Sequence, residues 1–195
     1  MRTFSMLALA TAFALGATAM QAQAQQTHAH GDAAAAGAPA AAATEQEKEA
    51  LGLLGAINTS EINAANLVLQ KGVQGPVREY AQRMIKEHSD NNAKIAPFAP
   101  DRSAARATLQ TKKGEAELKK LQPLSGKELE AAYVTAMVND HTQALEALDK
   151  QLIPEAKTPQ VVQHLKTTRQ HVADHLAQAK KLQTSTSANS GAAAR

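Results

Sequence analysis

The chain contains no cysteine and no tryptophan, and only 3% of its 195 residues are aromatic. Without thiols there is no disulfide, no thiolate nucleophile and no cysteine-ligated zinc or iron–sulfur centre. A domain of this length can stabilise itself by core burial, so the lack of cross-links is no obstacle to folding outside the cell. Charge of one sign is also scarce: 21 Lys and Arg against 18 Asp and Glu leave a net charge of +3. With few aromatics and no arginine-rich patch, nucleic acid is not an expected partner. Glycine-rich phosphate loops, a Gly-x-Ser-x-Gly turn and a His-Glu-x-x-His motif are missing. So is any alternating run that would read as a strand.

The long apolar run that does occur is at the N-terminus. Residues 1–24 read as a secretory signal: Arg2 supplies the positive start, Phe4 to Ala19 the apolar stretch, and Ala22-Gln23-Ala24 a small-x-small cleavage site. Cleavage after Ala19 and an uncleaved anchor helix are the alternatives. No other stretch is apolar enough to span a bilayer, so no membrane span is expected after cleavage. The expected location is the periplasm, with outer-membrane association open. Residues 25–43 form an Ala- and Gln-rich linker. Its His28-Ala29-His30 is open between a loose metal pair and two solvated histidines. Residues 184–195 read as a second disordered tail.

The domain between them, 44–183, reads as all-α. Thr44-Glu45-Gln46-Glu47 fits a capping box and opens helix A, whose seam is Leu51, Leu54, Asn58, Glu61, Ala65 and Val68. Gly72 and Gly75 end it, and Pro76 starts helix B with the seam Val77, Ala81, Met84, His88, Asn91 and Ile95. Pro97 and Pro100 stop helix B. A long B–C connection follows. It carries a short extra helix at about 103–121, weakened by Gly114. Ser125-Gly126-Lys127-Glu128 reads as a second capping box opening helix C, with the seam Glu130, Val134, Met137, His141, Ala144, Leu148 and Leu152. Pro154 is expected to end it. Thr158-Pro159 opens helix D, with the seam Val161, Leu165, Thr168, Val172, His175, Ala179 and Leu182. Four amphipathic helices joined this way make a four-helix bundle.

One pattern occurs twice. Tyr80, Met84 and His88 are spaced four apart, and so are Tyr133, Met137 and His141, with Glu87 and Asp140 just before the histidines. At about 100° per residue each trio shares a helical face. Counting from the turns at about 1.5 Å per residue, Glu61, His88, His141, and His171 or His175 fall near mid-bundle. This holds whether helix C runs antiparallel to B or follows a full-length crossover. His171 is ambiguous between flank and seam, and His164 reads as a surface residue. Imidazole and carboxylate suit zinc, iron, manganese or copper, and the neighbouring Met84 and Met137 would favour copper(I). The same pattern is also what buried, hydrogen-bonded histidines with methionine filler would give, with Tyr80 and Tyr133 as bonding partners. Glu87 and Asp140 point aside, either orienting a ring on a neighbouring helix or solvated.

Glu61-Ile62, Val77 through Met84 to His88, Leu124-Ser125-Gly126, Tyr133 to His141, and His175-Leu176 resemble the bacterial domain-of-unknown-function family 4142 over about residues 45–183. The resemblance implies export and a ferritin-like four-helix bundle, and carries over Glu61, Met84, His88, Tyr133, His141 and His175. It implies no established activity. Ferritin-like di-iron enzymes place Glu-x-x-His on two helices. Here Glu87-His88 and Asp140-His141 are adjacent instead, and the last helix carries His171, Asp174 and His175.

Two functional expectations follow. The first is a non-enzymatic envelope, stress or interaction protein with an envelope partner. The alternative is a metal-binding bundle whose ligands come from Glu61, His88, His141, His171 and His175. A di-metal oxidase ranks below both, because bridging carboxylates are lacking.

Overall fold

In the computed structural model, backbone is described for residues 42–193 and side chains for residues 42–186. The expected signal sequence, nearly all of the linker, and His28 and His30 lie outside the described residues. Five long helices carry the fold: α1 (Glu45–Gln70), α2 (Gly75–Ile95), α3 (Ala105–Leu121), α4 (Gly126–Ala147) and α5 (Pro159–Ala193). No strand occurs among the described residues. None of these helices is long and apolar enough to cross a membrane.

The seams of α1, α2, α4 and α5 are buried at every position anticipated from their spacing. They form two apolar clusters. One joins Ala64, Ala65 and Val68 to Val77–Met84, Leu129–Met137, and Ala179 with Leu182. The other joins Ala50–Ile57 to Ile95, Ala144–Leu152, and Val161–Val172. Along every one of the four helices the switch between clusters falls at polar seam residues. A polar layer therefore separates two dry halves.

The clusters also fix direction. The α1–α2 turn, through Val73, belongs to the first, and the α4–α5 turn, through Ala156, to the second. Helix α4 thus runs parallel to α2, and the chain returns between them through a full-length crossover. That crossover is α3, the extra helix expected at about 103–121, which is 17 residues long. At one end Asp101 N donates to Lys48 O (2.8 Å), and at the other Lys71 Nζ donates to Gln122 O (2.6 Å). So α3 lies along α1 and parallel to it.

Gly114, read from sequence as a weak point, is what permits this packing. A Cβ there would sit 2.1 Å from Ser60 Oγ. Gly114→Ala normally favours a helix by about 1 kcal/mol, but here overpacking reverses the sign. We expect a loss of about 1–3 kcal/mol, read as a lowered urea midpoint.

The first capping box forms and does more than cap. Glu47 is fully buried. It accepts from Thr44 N (2.7 Å), Lys157 N (2.7 Å), Thr158 N (2.6 Å) and Thr158 Oγ1 (2.7 Å), tying the starts of α1 and α5 together. Burial pushes its carboxyl up, but the hydrogen bonds from Thr44, Thr158 and Lys157 more than offset that and hold it at about 2. Glu47→Ala leaves those donors without their acceptor and should cost about 3 kcal/mol at neutral pH, measured by chemical denaturation.

Three other expectations are corrected. Ser125 precedes α4 but makes no side-chain capping bond; Lys127 pairs instead with Glu130 (2.9 Å). Pro154 does not end its helix. The chain widens into a π-helical segment, Leu148–Leu152, and continues through Ile153–Glu155. A wider turn relieves the clash of a proline ring with the carbonyl four residues back. Finally, α5 continues to Ala193, through most of the stretch read as a tail. Its hydroxyls turn inward on the helix: Thr184 Oγ1 donates to Lys180 O and Ser185 Oγ to Leu182 O.

Candidate metal centre

The polar layer draws one or two residues from each of four helices. Helix α1 supplies Asn58 and Glu61, α2 His88 and Asn91, α4 His141, and α5 Thr168 and His175, all buried. One ring nitrogen from each of His88, His141 and His175 lies within 4.8 Å of the others. The ring centroids are 5.2–5.9 Å apart. The Glu61 carboxylate enters from α1, with Oε2 2.6 Å from His88 Nε2 and 3.3 Å from His141 Nε2. Glu61 Oε1 and Oε2, His88 Nε2, His141 Nε2, His175 Nδ1 and the Tyr133 hydroxyl have no hydrogen-bond partner.

The outer nitrogen of each ring is held. His88 Nδ1 donates to Asn58 Oδ1 (2.9 Å). The Asn58 amide is itself oriented, because its Nδ2 donates to Asn91 Oδ1 (3.1 Å) and Asn92 Oδ1 (2.9 Å). His141 Nδ1 donates to Met137 O (2.8 Å), one turn back on its own helix. His175 Nε2 donates to Glu87 Oε2 (2.7 Å). A ring that donates from one nitrogen presents a lone pair on the other. The free nitrogens of His88 and His141 lie beside the Glu61 carboxylate, and a nitrogen of His175 lies within 4.8 Å of one on each of those two rings. Neutral imidazoles fixed through an outer N–H to an oxygen are the arrangement metal-ligating histidines show. Three imidazole nitrogens converge, and the Glu61 carboxylate beside two of them could supply a fourth donor to a tetrahedral transition-metal ion.

Burial pushes the Glu61 carboxyl up, but the neighbouring His141 and His88, when they carry positive charge, more than compensate and hold it at about 2. Burial, then repulsion by His88, lower His175 to about 4 in spite of Glu87, so its lone pair is available at neutral pH. Glu87 is pushed up by burial but held at about 2 by hydrogen bonds from Arg83 and His175.

The structure brings Glu61, His88, His141 and His175 together and leaves out His171. Four residues before His175, His171 is exposed on the α2 side of α5. His164, read as a surface residue, is half-buried, with Nε2 3.3 Å from Thr168 Oγ1. Glu87 orients a ring on a neighbouring helix, whereas Asp140 pairs with Lys113 (2.7 Å) on α3. Neither tyrosine bonds a ring: Tyr80 donates to the His175 backbone oxygen (3.3 Å), and the Tyr133 phenol, pushed up by burial and by Glu61, stays neutral. Met84 and Met137 are fully buried one turn from the histidines. Sequence reasoning missed the Asn58–Asn91–Thr168 support. The signal was present in three polar residues standing on otherwise apolar seams.

Comparison with known proteins adds one finding. The model of a family described as a domain of unknown function (DUF4142) matches residues 32–182. No curated protein matches the chain, and no solved structure matches it.

Proposed function

The chain belongs to the family described as a domain of unknown function (DUF4142), and from that premise we propose that it is an exported periplasmic bundle that binds one transition-metal ion. One observation carries this reading. Three buried imidazoles, each fixed by an outer hydrogen bond, turn their free nitrogens within 4.8 Å of one another beside the Glu61 carboxylate. Unpartnered polar atoms cost about 1–3 kcal/mol each when buried. A cation coordinated by these four side chains satisfies them together.

Nitrogen and carboxylate donors without thiolate suit zinc(II), iron(II), manganese(II) or copper(II). The ligands are at most 5% exposed in their side chains, which suits holding an ion more than turning over a substrate. When bound, the ion supplies positive charge that ties four helices at one level. In this reading α1, α2, α4 and α5 form a ferritin-like four-helix bundle, and α3 is its long crossover. The layer contains a single carboxylate at its centre, Glu61, so it holds one ion and not a carboxylate-bridged pair. Export rests on the sequence of residues 1–24.

The test is equilibrium dialysis of metal-free protein against each of the four ions. The reading expects one ion per chain for at least one of them. Binding of none, or binding unaffected by Glu61→Gln with His88→Gln, overturns it.

A further inference from the structure

The four ligands are sealed from solvent, so an ion that reaches them must pass through a wall. Two of the three histidine supports lead outward, and both lead to the same place. From His175 the path is direct: Glu87 Oε2 holds the ring, and the Glu87 side chain is 28% exposed, gripped from outside by Arg83 (2.7 Å). From His88 the path is a chain of hydrogen bonds. His88 Nδ1 donates to Asn58, Asn58 Nδ2 to Asn91, and Asn91 Nδ2 to Thr168 Oγ1 (2.8 Å); the Thr168 hydroxyl is left to donate to His164 Nε2. Every donor in that chain points outward. Glu87, Asn91, Thr168 and His164 all line one cleft between α2 and α5.

Resting on the metal-binding reading above, we propose that this cleft, with Asp90 and His171 at its mouth, is the port through which a hydrated divalent transition-metal ion enters and leaves the buried centre.

The cleft has a volume of about 60 Å³. That is room for several water molecules at about 10–15 Å³ each. It is lined by two imidazoles and two carboxylates. Lys94 also lines it, Lys86 pairs with Asp90 (2.7 Å), and Arg83 pairs with Glu87, so three cations stand against two carboxylates. Charge therefore does not draw a cation in, and selection falls to the imidazoles, which prefer transition metals to calcium or magnesium. Burial, Lys94 and His171 lower His164, which keeps it neutral and able to bind an ion. Among the described residues, the three-residue group that converges on a point is the buried one. The cleft residues do not converge, which fits hand-over and not storage. Rotation of Glu87 away from His175 is the step that opens the inner ring.

The opposite wall offers a larger cavity, about 570 Å³, lined by Lys113, Glu117 and Asp140 on α3 and α4. There Asp140 is held by Lys113, which also bonds Gln143 (2.9 Å), and not by any ligand.

The experiment follows zinc transfer between full-length protein and a chromophoric chelator in both directions by stopped flow. The variants are His171→Ala with Asp90→Asn, His164→Ala, and Glu117→Gln as the control on the other wall. His171 and Asp90 are exposed, so that double variant keeps its fold, which circular dichroism checks. The port predicts that its uptake and release rates both fall about tenfold, while Kd changes less than about twofold. Unchanged rates in the double variant overturn the port. So does slowing by Glu117→Gln instead. If the wild-type protein takes up no zinc or other ion at equilibrium, the metal-binding reading itself fails, and that outcome is seen before any variant is compared.

Discussion

Saturating the wild-type protein with its ion raises the melting temperature by roughly 8–16 °C, and His141→Leu abolishes the rise. A ligand present at about a thousandfold over Kd adds about 4 kcal/mol of stability. For a domain of this size each kcal/mol is worth about 2–4 °C. The variant result is the informative half. His141 is fully buried and touches Glu61 from α4. Leucine fills much of its space but offers no lone pair. Replacing a whole buried ion pair by apolar groups of similar volume is often neutral, but removing one partner leaves the other uncompensated and is destabilising. The metal-free variant therefore melts below the metal-free wild type, because the buried Glu61 carboxylate loses His141, while its response to metal disappears. Glu61→Leu should likewise abolish the response to metal. A purely structural polar layer predicts the loss of metal-free stability with no metal response in either protein. Differential scanning calorimetry of the four samples separates the two.

The second large effect is on acid stability of the metal-free protein. His175 has a folded pKa of about 4 against an ordinary 6.5. Between those values the unfolded chain takes up a proton that the folded chain refuses. Stability is therefore present above pH 6.5 and is lost as pH falls toward 4. At about 1.4 kcal/mol per pH unit the loss is about 3 kcal/mol. Glu47, Glu61 and Glu87, each held at about 2 against 4.5, contribute stability that is lost lower, as pH falls from 4.5 to 2. Urea denaturation at a series of pH values should show two descending segments. His175→Leu removes the upper one and leaves the lower. Protons also compete with the ion for these ligands, so metal affinity falls over the same upper range.

The seams were legible because burial on a helix imposes a period, and every seam residue from Leu51 to Leu182 that the spacing marked is buried. The level of the layer was legible for Glu61, His88 and His141 by counting from proline- and glycine-marked turns, whereas the count left His171 and His175 open and it is His175 that enters the layer. What spacing does not encode is how neighbours meet. Gly114 reads as a helix weakness until Ser60 is seen against it. Asp140 and Glu87 hold the same place in the repeated pattern, yet one meets Lys113 and the other His175. The direction of α4 depended on whether 96–125 turned back or crossed over, and only the packing of α3 along α1 decides that. His171 and His175 differ by one turn, and a small rotation of α5 selects which of them enters the layer.

X-ray absorption at the zinc edge of the one-to-one zinc complex tests the central claim most directly. The account predicts a shell of nitrogen and oxygen only, at about 2.0–2.1 Å, with the outer-shell scattering of three imidazoles. His175→Leu should reduce that scattering to two rings. A shell of water oxygens without imidazole scattering, or a sulfur shell from Met84 or Met137, would contradict the assignment of Glu61, His88, His141 and His175 as the ligands.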